Sequence, residues 1–193
     1  MKSVSKTQRM IVVAMFSSIS YLLMLLDFPL PGFPVFLQID FSEIPALFVA
    51  ILYGPVAGIL VEAIKNFIHF GIQGSFTGVP IGQLANFIAG VFFIVPTALI
   101  FRKFNQTQKG LTLGLTFGTI LMATMMGLLN YLIILPAYTW FMGFEEMSAS
   151  ARQALVLTGI TPFNLVKGAI VAGIFIAFFV KLKPWFVRQA RTI

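Results

Sequence analysis

Six apolar stretches follow one another along this chain of 193 residues, and each is bounded by proline, glycine or charged residues. We place them near residues 8–26, 41–53, 56–70, 80–101, 111–138 and 159–180. Runs of this kind are typical of transmembrane helices. The chain is 59% hydrophobic and 10% charged, so a soluble fold would have too few polar groups to cover its surface. The pattern predicts an all-α polytopic membrane protein, a bundle of six transmembrane helices that forms one membrane domain over residues 1–193.

The second and third stretches are short for a bilayer. At a rise of about 1.5 Å per residue, a helix over residues 41–53 reaches only about 20 Å. Such a helix must be shielded by its neighbours or lie beside irregular backbone that faces a cavity. Gly54 and Pro55 separate the two stretches. Because proline disfavours helix at the residue before it and is well tolerated at the start of a helix, this pair predicts a tight turn.

Basic residues indicate how the helices cross the membrane. They form three clusters, before the first stretch, between the fourth and fifth, and after the sixth. The clusters contain Lys2, Lys6, Arg9, Arg102, Lys103, Lys109, Lys181, Lys183, Arg188 and Arg191. Six spans place all three clusters on one side, whereas five or seven would scatter them. The opposite loops contain Arg152 as their only basic residue, so the positive-inside rule predicts a cell-membrane protein with both termini in the cytoplasm.

Strongly polar side chains within the stretches share one depth. An ionisable group at the centre of a membrane helix costs about 2.5 to 3.5 kcal/mol, so each one needs a partner, a water-filled cavity or a ligand. With the predicted orientation, all of these side chains fall in the outer half of the membrane or near its middle. They are Glu62, Lys65, Asn66, His69, Gln83, Asn86, Asn130, Asn164 and Lys167. Their common depth predicts a polar zone that opens to the outside.

Some of these residues allow more than one interpretation. Glu62 and Lys65 lie on one helical face, where they form either a self-neutralising ion pair or part of a ligand site. We interpret His69 as an interface or pairing residue, because a lone histidine has no second ligand for a metal, and we expect no metal site. Lys167 lies about 12 Å along its helix from residue 159, a long reach for its side chain, so we expect it to face a cavity or a ligand.

The loop between the first two stretches, residues 27–40, is rich in proline and carries several large apolar side chains, among them Phe36 and Leu37. An apolar loop that faces water is unfavourable unless it packs against something. Two arrangements remain open. The loop covers an aromatic or apolar ligand as a lid, or it lies against the helices or in the membrane interface.

Several function classes are excluded by what the sequence lacks. It has no cysteine, no phosphate-binding G-x-x-x-x-G-K-[ST] loop, no H-E-x-x-H motif and no G-x-S-x-G motif. We therefore expect no enzyme, no cofactor and no ATP hydrolysis by this chain alone. The net charge of +7 comes from clusters beside apolar runs and not from a basic arm, so we expect no nucleic-acid partner.

The segment that follows the first loop resembles a known family. Residues 40–46 read D-F-S-E-I-P-A, residues 54–58 read G-P-V-A-G, and residues 62–66 read E-A-I-K-N. This string resembles the D-x-S-x-I-P and G-P-x-x-G signature of the substrate-binding components of energy-coupling factor (ECF) vitamin transporters. The resemblance extends over nearly the whole chain in length, six-span plan and charge layout, and it is nearest to the riboflavin-specific members.

The resemblance implies a function and partners. Members of this family bind a vitamin in a pocket that opens to the outside beneath the first outer loop. They then associate with a membrane scaffold protein and two cytoplasmic ATPases. Small residues on the first helix meet the scaffold, and the corresponding positions here are Ala14 and Ser18, with serine where alanine is common. Their small-xxx-small spacing lets two helices approach closely.

With riboflavin as the ligand, the polar zone supplies suitable hydrogen-bonding groups. Asn130, Asn164 and Lys167 suit the pyrimidine edge of the ring. The acidic residues around the end of the loop, or Asn86, are left for the ribityl hydroxyl groups, and apolar side chains of the loop suit the ring faces. The expected ligand-binding residues are Phe36, Leu37, Asp40, Glu43, Asn86, Asn130, Asn164 and Lys167.

Two alternatives stay open. The chain is a substrate-binding component for another vitamin, or it is a self-sufficient proton-coupled permease for a small aromatic substrate. In the permease, Glu62, Lys65 and His69 would form a proton relay. The polar side chains do not continue into the inner half of the membrane, which favours a binding component that depends on partners for release.

Overall fold

The computed structural model describes residues 5–75, 78–143 and 145–190, with side chains as far as Lys181. In this part of the chain there are six helices and one short hairpin, β1 (Phe28–Pro29) paired with β2 (Gln38–Ile39). The first four helices are α1 (Lys6–Met24), α2 (Glu43–Tyr53), α3 (Pro55–Gln73) and α4 (Ile81–Lys103). The fifth, α5, runs through Gln108–Leu129, Asn130–Ile134 and Leu135–Met142, and the sixth, α6, through Ala149–Leu155, Val156–Ile160 and Thr161–Ala190.

The predicted all-α membrane bundle is confirmed. Among the described residues, every helix except α2 is long and apolar enough to cross a membrane. The limits of the six spans relative to a bilayer, and the single domain over the whole chain, stay predictions. Of the basic residues that predict the orientation, Lys2 and Arg191 lie outside the described residues, as do the side chains of Lys183 and Arg188.

The predicted turn between α2 and α3 forms at Gly54, whose φ of 105° lies in the region that favours glycine. Its N–H donates to the Ala50 carbonyl at 3.0 Å, and Pro55 opens α3. One turn further on, a Cβ at Gly58 would lie 2.6 Å from the Ala50 Cβ and 3.1 Å from the Ile94 Cγ2. The glycine therefore lets α3 pack closely against both α2 and α4. Most of the short α2 is buried, and its neighbours shield it as expected.

Glycines also bring α5 close to α4. Thr97 Oγ1 donates to the Gly114 carbonyl at 3.1 Å, and a Cβ at Gly118 would lie 2.6 Å from the carbonyl oxygen of Phe93. A larger side chain at either glycine would push the two helices apart. The small residues of α5 therefore set the spacing on this side of the bundle.

Four phenylalanines pack together toward the end of the bundle that contains Lys181. The ring centroids of Phe48 and Phe175 lie 4.7 Å apart, and those of Phe101 and Phe179 lie 5.7 Å apart in an edge-to-face arrangement. These contacts join α2, α4 and α6 through apolar surface alone. We call these four residues the aromatic cluster.

Both α5 and α6 contain one π-helical turn, at Asn130–Ile134 and at Val156–Ile160. Each turn comes just before a proline, Pro136 in α5 and Pro162 in α6. Proline lacks an N–H and its ring clashes with the carbonyl four residues earlier, so a wider turn accommodates it. The two π turns contact each other. The irregular parts of two helices therefore meet at one place in the bundle.

Candidate functional site

Five charged side chains meet where the first loop joins α2, between α3 and α6. They are Asp40, Glu43, Glu62, Lys65 and Lys167, and each is 5% exposed or less. We call them the charged cluster. Lys167 Nζ lies 3.0 Å from Asp40 Oδ2 and 2.8 Å from Glu43 Oε1. Lys167 therefore faces the interior of the bundle and has two carboxylate partners there, while the predicted cavity or ligand at its ammonium group stays a prediction.

A second ion pair joins the first through a serine. Lys65 Nζ lies 2.9 Å from Glu62 Oε2, and it also donates a hydrogen bond to Ser42 Oγ. The Ser42 backbone N–H donates to Asp40 Oδ1 at 2.8 Å. Sequence reasoning missed Ser42, which appears there only as a letter of the family signature. The structure shows that this serine links the α3 lysine to the carboxylate that Lys167 binds.

The neighbouring lysines keep the carboxyl group of Asp40, at the end of the loop, ionised. Asp40 lies before α2, outside the membrane-spanning helices. Burial acts to raise the pKa of its carboxyl group, but Lys167, Lys65 and the hydrogen bonds with Ser42 act in the opposite direction and hold it at about 2, below the usual 3.8. Asp40 is therefore a permanent anion at neutral pH and holds Lys167 electrostatically.

Glu43 retains capacity to accept hydrogen bonds. Its Oε1 lies within ion-pair distance of Lys167, yet neither carboxylate oxygen receives a well-oriented hydrogen bond from the described residues. A buried carboxylate in this condition can accept hydrogen bonds from the hydroxyl or N–H groups of a ligand, or from water. Glu43 is therefore suited to bind the hydroxyl groups of a ligand.

Asn130 is the first residue of the π turn in α5, and Asn164 follows the π turn in α6. Both are buried, and their side chains form the same kind of hydrogen bond. Each Nδ2 donates at 2.8 Å to the carbonyl four residues earlier, that of Met126 for Asn130 and that of Ile160 for Asn164. Within the described residues neither amide makes another hydrogen bond, so one N–H and the carbonyl oxygen of each stay available. Asn164 precedes Lys167 by nearly one helical turn on α6. The structure thus places an amide beside the charged cluster.

Asn86 belongs to a different polar group. Its Oδ1 accepts a hydrogen bond at 3.3 Å from Asn66 Nδ2, which also bonds to the Glu62 carbonyl within α3. The same pair of helices holds Gln83 Nε2, which lies 3.2 Å from His69 Nδ1 and donates to the Gly74 carbonyl. These contacts agree with a pairing role for His69. The structure joins Asn86 to α3 and shows no direct contact between its side chain and Lys167 in the described part of the chain.

The first loop reaches α6 through residues that were not among the predicted ligand contacts. The ring of Phe33 lies 5.7 Å from that of Phe163, edge to face, and Pro34 lies within 3.5 Å of the Cβ position that Gly159 lacks. Phe36 is 58% exposed and Leu37 is half-buried. The loop therefore leans on α6 with its middle part, and the role of Phe36 and Leu37 at a ligand stays a prediction.

The described residues contain no group of three or more histidine or acidic side chains that could hold a metal ion. The site consists of carboxylates, ammonium groups and amides beneath an apolar loop. Such groups can bind and orient a polar ligand. The family that is described as "ECF transporter, substrate-specific component" matches residues 8–179 of this sequence. The chain belongs to this family.

Relatives of this S component align with it over almost its full length. It is 52% identical to the protein named riboflavin transporter FmnP of Bacillus subtilis (strain 168), over 95% of this chain and 96% of the relative. It is 33% identical to riboflavin transporter RibU of Staphylococcus aureus (strain TCH60), over 96% of each chain. A solved structure of the S component of a bacterial ECF transporter is 31% identical and matches with a TM-score of 0.79, over 94% of this chain and 98% of that one.

These likenesses agree with the resemblance in the sequence. The family and its named members are transporters, which confirms that the S component is not an enzyme. Together with the apolar helices, they show a multi-pass membrane protein. The contact residues of the ligand are not determined by the likenesses, so the predicted set stays a prediction.

The surface of α1 contains the predicted partner-contact residues of the S component. Ala14 and Ser18 are both exposed, and Ser18 Oγ donates to the Ala14 carbonyl at 3.1 Å. Because this bond turns the hydroxyl back onto its own helix, Ser18 presents a small and largely satisfied surface. Large apolar side chains, including Met15 and Leu22, are exposed on the same helix. The role of Ala14 and Ser18 at a partner stays a prediction.

Proposed function

We propose that this S component binds riboflavin and passes it to a separate transport module. Support comes from two relatives named riboflavin transporters, which are 52% and 33% identical over nearly the full length of the chain. The observation that carries the proposal is the buried group formed by Lys167 with Asp40 and Glu43 beside Asn164. An uncharged ligand with many donors and acceptors fits such a site better than an ion does.

The chemistry of riboflavin matches these side chains. Its pyrimidine edge carries both acceptors and an N–H donor, which suit an ammonium group and two amides, here Lys167, Asn130 and Asn164. Its ribityl chain carries hydroxyl groups, which donate to carboxylates such as Glu43. Its flat ring needs apolar contacts on both faces, and the first loop offers Phe36 and Leu37.

The first experiment measures the ligand directly. Protein purified in mild detergent from cells grown with riboflavin is expected to be yellow, and apoprotein is expected to quench flavin fluorescence at one ligand per chain. A colourless protein that does not quench flavin would overturn the proposal and would direct the search to another vitamin.

A second set of variants tests the site residues. Asn164→Ala and Asn130→Ala are each expected to weaken riboflavin binding by about tenfold, since each removes a buried hydrogen-bonding group from the ligand. Gln108→Ala removes an exposed amide at the opposite end of α5 and is the matched control, with unchanged affinity. Asn86→Ala decides whether this asparagine touches the ligand or only Asn66. Equal affinities in all four variants and wild type would show that the site is elsewhere.

We further propose that the site opens to the outside and that both termini are cytoplasmic. The distribution of basic residues supports this orientation. The chain has no cysteine, so single cysteines report on their own positions. Ser148→Cys is expected to react with a membrane-impermeant maleimide in intact cells, and Thr107→Cys only after lysis. The reverse pattern would invert the proposed orientation.

Release is proposed to need a membrane scaffold protein and two cytoplasmic ATPases. The exposed small residues Ala14 and Ser18 on α1 support contact with a scaffold helix, and the absence of an ATP-binding motif supports separate ATPases. In liposomes, the S component alone is expected to bind riboflavin without accumulating it, and uptake is expected only with the full module and ATP. Uptake under a proton gradient alone would instead support the permease.

A further inference from the structure

Ser42 does not do what a serine at this position normally does. It is the residue before the first residue of α2, where a serine side chain usually accepts a hydrogen bond from the backbone of the first helical turn. Here Ser42 makes no such bond. Its hydroxyl oxygen instead accepts a hydrogen bond from Lys65 Nζ, 23 positions further along the chain. The side chain of Ser42 therefore makes a long-range contact with α3 and no local capping bond.

Lys65 is held in place from the other side by Glu62. Their ion pair spans 2.9 Å within α3, and neither side chain is exposed at all. The neighbouring helix α4 leaves room for the carboxylate at Gly90, where an added Cβ would overlap the Glu62 carboxyl group. Three helices or their ends thus cooperate to direct Lys65 at Ser42.

The contacts then continue to the ligand site. Ser42 donates its backbone N–H to Asp40 Oδ1 at 2.8 Å, and the other Asp40 oxygen lies 3.0 Å from Lys167 Nζ. Each of the four links is fully buried or nearly so. A continuous chain of polar contacts therefore runs from Glu62 through Lys65, Ser42 and Asp40 to Lys167.

A buried ion pair adds little to the free energy of unfolding. Removing two charges from water costs so much that apolar residues of similar volume often serve equally well or better. The Glu62–Lys65 pair is not exposed to solvent and lies two contacts away from Asp40, the nearest predicted ligand residue along this chain of contacts. The pair holds the Lys65 ammonium group in one position beside Ser42. Apolar side chains would place no charge there.

We propose that Glu62 and Lys65 are positioning residues that act through Ser42 on Asp40, and thereby fix the Lys167 ammonium group for the ligand. They do not touch the ligand themselves. The inference rests on the proposed function, because riboflavin is the ligand whose binding reports on Lys167. It assigns to the E-A-I-K-N string of α3 a role in affinity and not in proton relay.

The test separates positioning from folding. The double variant Glu62→Gln with Lys65→Met removes both charges and keeps similar volumes, so no charge is left without its partner. We expect its thermal unfolding in detergent to stay close to that of wild type, while its riboflavin Kd rises by roughly tenfold. Lys109→Met, on an exposed lysine, is the control for loss of a lysine.

A double-mutant cycle with Asp40→Asn shows the route of the effect. If Glu62 and Lys65 act through Asp40, the double variant is expected to cause less than about a twofold further loss of affinity once Asp40 is neutral. An unchanged Kd in the double variant, or full additivity with Asp40→Asn, would overturn the inference. Wild-type protein that does not bind riboflavin would overturn the proposed function instead, so the two failures are distinguishable.

Ser42→Ala decides the matter if the double variant does not fold. This change removes only the hydroxyl group between Lys65 and Asp40 and leaves the Glu62–Lys65 pair intact. Its expected result is a comparable loss of affinity. Ser17→Ala is the matched control, since Ser17 is equally buried but, among the described residues, its hydroxyl group bonds only to the Val13 carbonyl of its own helix, at 2.7 Å. Equal affinity of the two alanine variants would contradict the inference.

Discussion

The charged cluster and the aromatic cluster both connect α2 with α6, but they do so by different means. The aromatic cluster joins α2, α4 and α6 through ring contacts, and none of its members needs a partner of opposite charge. The charged cluster joins the first loop, α2, α3 and α6 through ion pairs, with three carboxylates for two ammonium groups. The first region is complete by itself, whereas the second has acceptors left for a ligand.

This difference separates stability from affinity within one bundle. Within a bilayer, apolar packing stabilises the fold through close van der Waals contact between side chains, and it forms no specific bond to a ligand. Buried charges add little net stability but fix direction and specificity. We therefore expect changes in the aromatic cluster to lower stability at constant affinity, and changes in the charged cluster to lower affinity whether or not stability changes.

The largest effect is expected from Lys167→Met. It leaves Asp40 and Glu43 buried without their common partner, which costs about 3 to 5 kcal/mol for a broken buried ion pair. Riboflavin binding is expected to be lost beyond about a hundredfold, since the ammonium donor is lost as well. Thermal unfolding and fluorescence titration in detergent measure both quantities. Wild-type affinity in this variant would contradict the role of the charged cluster in ligand binding.

The opposite case is Phe175→Ala in the aromatic cluster. Phe175 is completely buried, and its truncation leaves a cavity that is expected to cost about 3 to 5 kcal/mol of stability. The Kd for riboflavin of the protein that remains folded is expected to match that of wild type. The same two measurements apply, at a temperature below the lowered unfolding midpoint. A large loss of affinity would show that the aromatic cluster shapes the site directly.

Gly90→Ala tests whether a change in α4 that moves Glu62 also reaches the ligand site. The added Cβ must displace the Glu62 carboxyl group, and such overpacking typically costs about 1 to 3 kcal/mol. The displacement is also expected to weaken riboflavin binding several-fold through Lys65. Gly173→Ala is the control, because in the described part of the chain nothing but its sequence neighbours and the backbone of its own helix lies within 4 Å of a Cβ there. If the two alanine variants have equal affinity, Glu62 has no influence on the site.

The smallest effect is a dependence of stability on pH. Asp40 has a pKa of about 2 in the folded protein against the usual 3.8, so the lysines and hydrogen bonds that outweigh the burial of its carboxylate contribute about 2 kcal/mol on balance. Because the folded pKa is lowered, this contribution is fully present above about pH 4 to 5 and is lost as the pH falls through about 2. Unfolding midpoints of wild type and Asp40→Asn should converge over that range. Parallel curves would show that Asp40 gains nothing from Lys167.

The general plan of this molecule could be predicted from sequence because apolar length and proline are local signals. The six apolar stretches predict the helices, and Gly54 with Pro55 predicts the turn that the structure shows. The hairpin of β1 and β2 has only two residues in each strand, too few for any periodic pattern to appear. The π turns depend on how Pro136 and Pro162 are accommodated, which hydropathy does not report.

The site was only partly predictable, since depth along a helix does not give its rotation. Lys167 and Asp40 were expected to be near the ligand, and the structure brings them together. Asn86 has the same predicted depth, but its face of α4 points to Asn66. Ser42 carried no signal of its own, because a serine hydroxyl accepts bonds from many neighbours and only the packed structure selects Lys65.

The ion pair between Asp40 and Lys167 also has a consequence for how the protein is made. The two residues are 127 positions apart, so the ribosome has completed four further helices before Lys167 emerges. Until α6 enters the membrane, the acidic residues at the start of α2 lack this partner. The charged cluster is therefore completed only at the end of synthesis, and a chain that stops before α6 leaves Asp40 and Glu43 without Lys167.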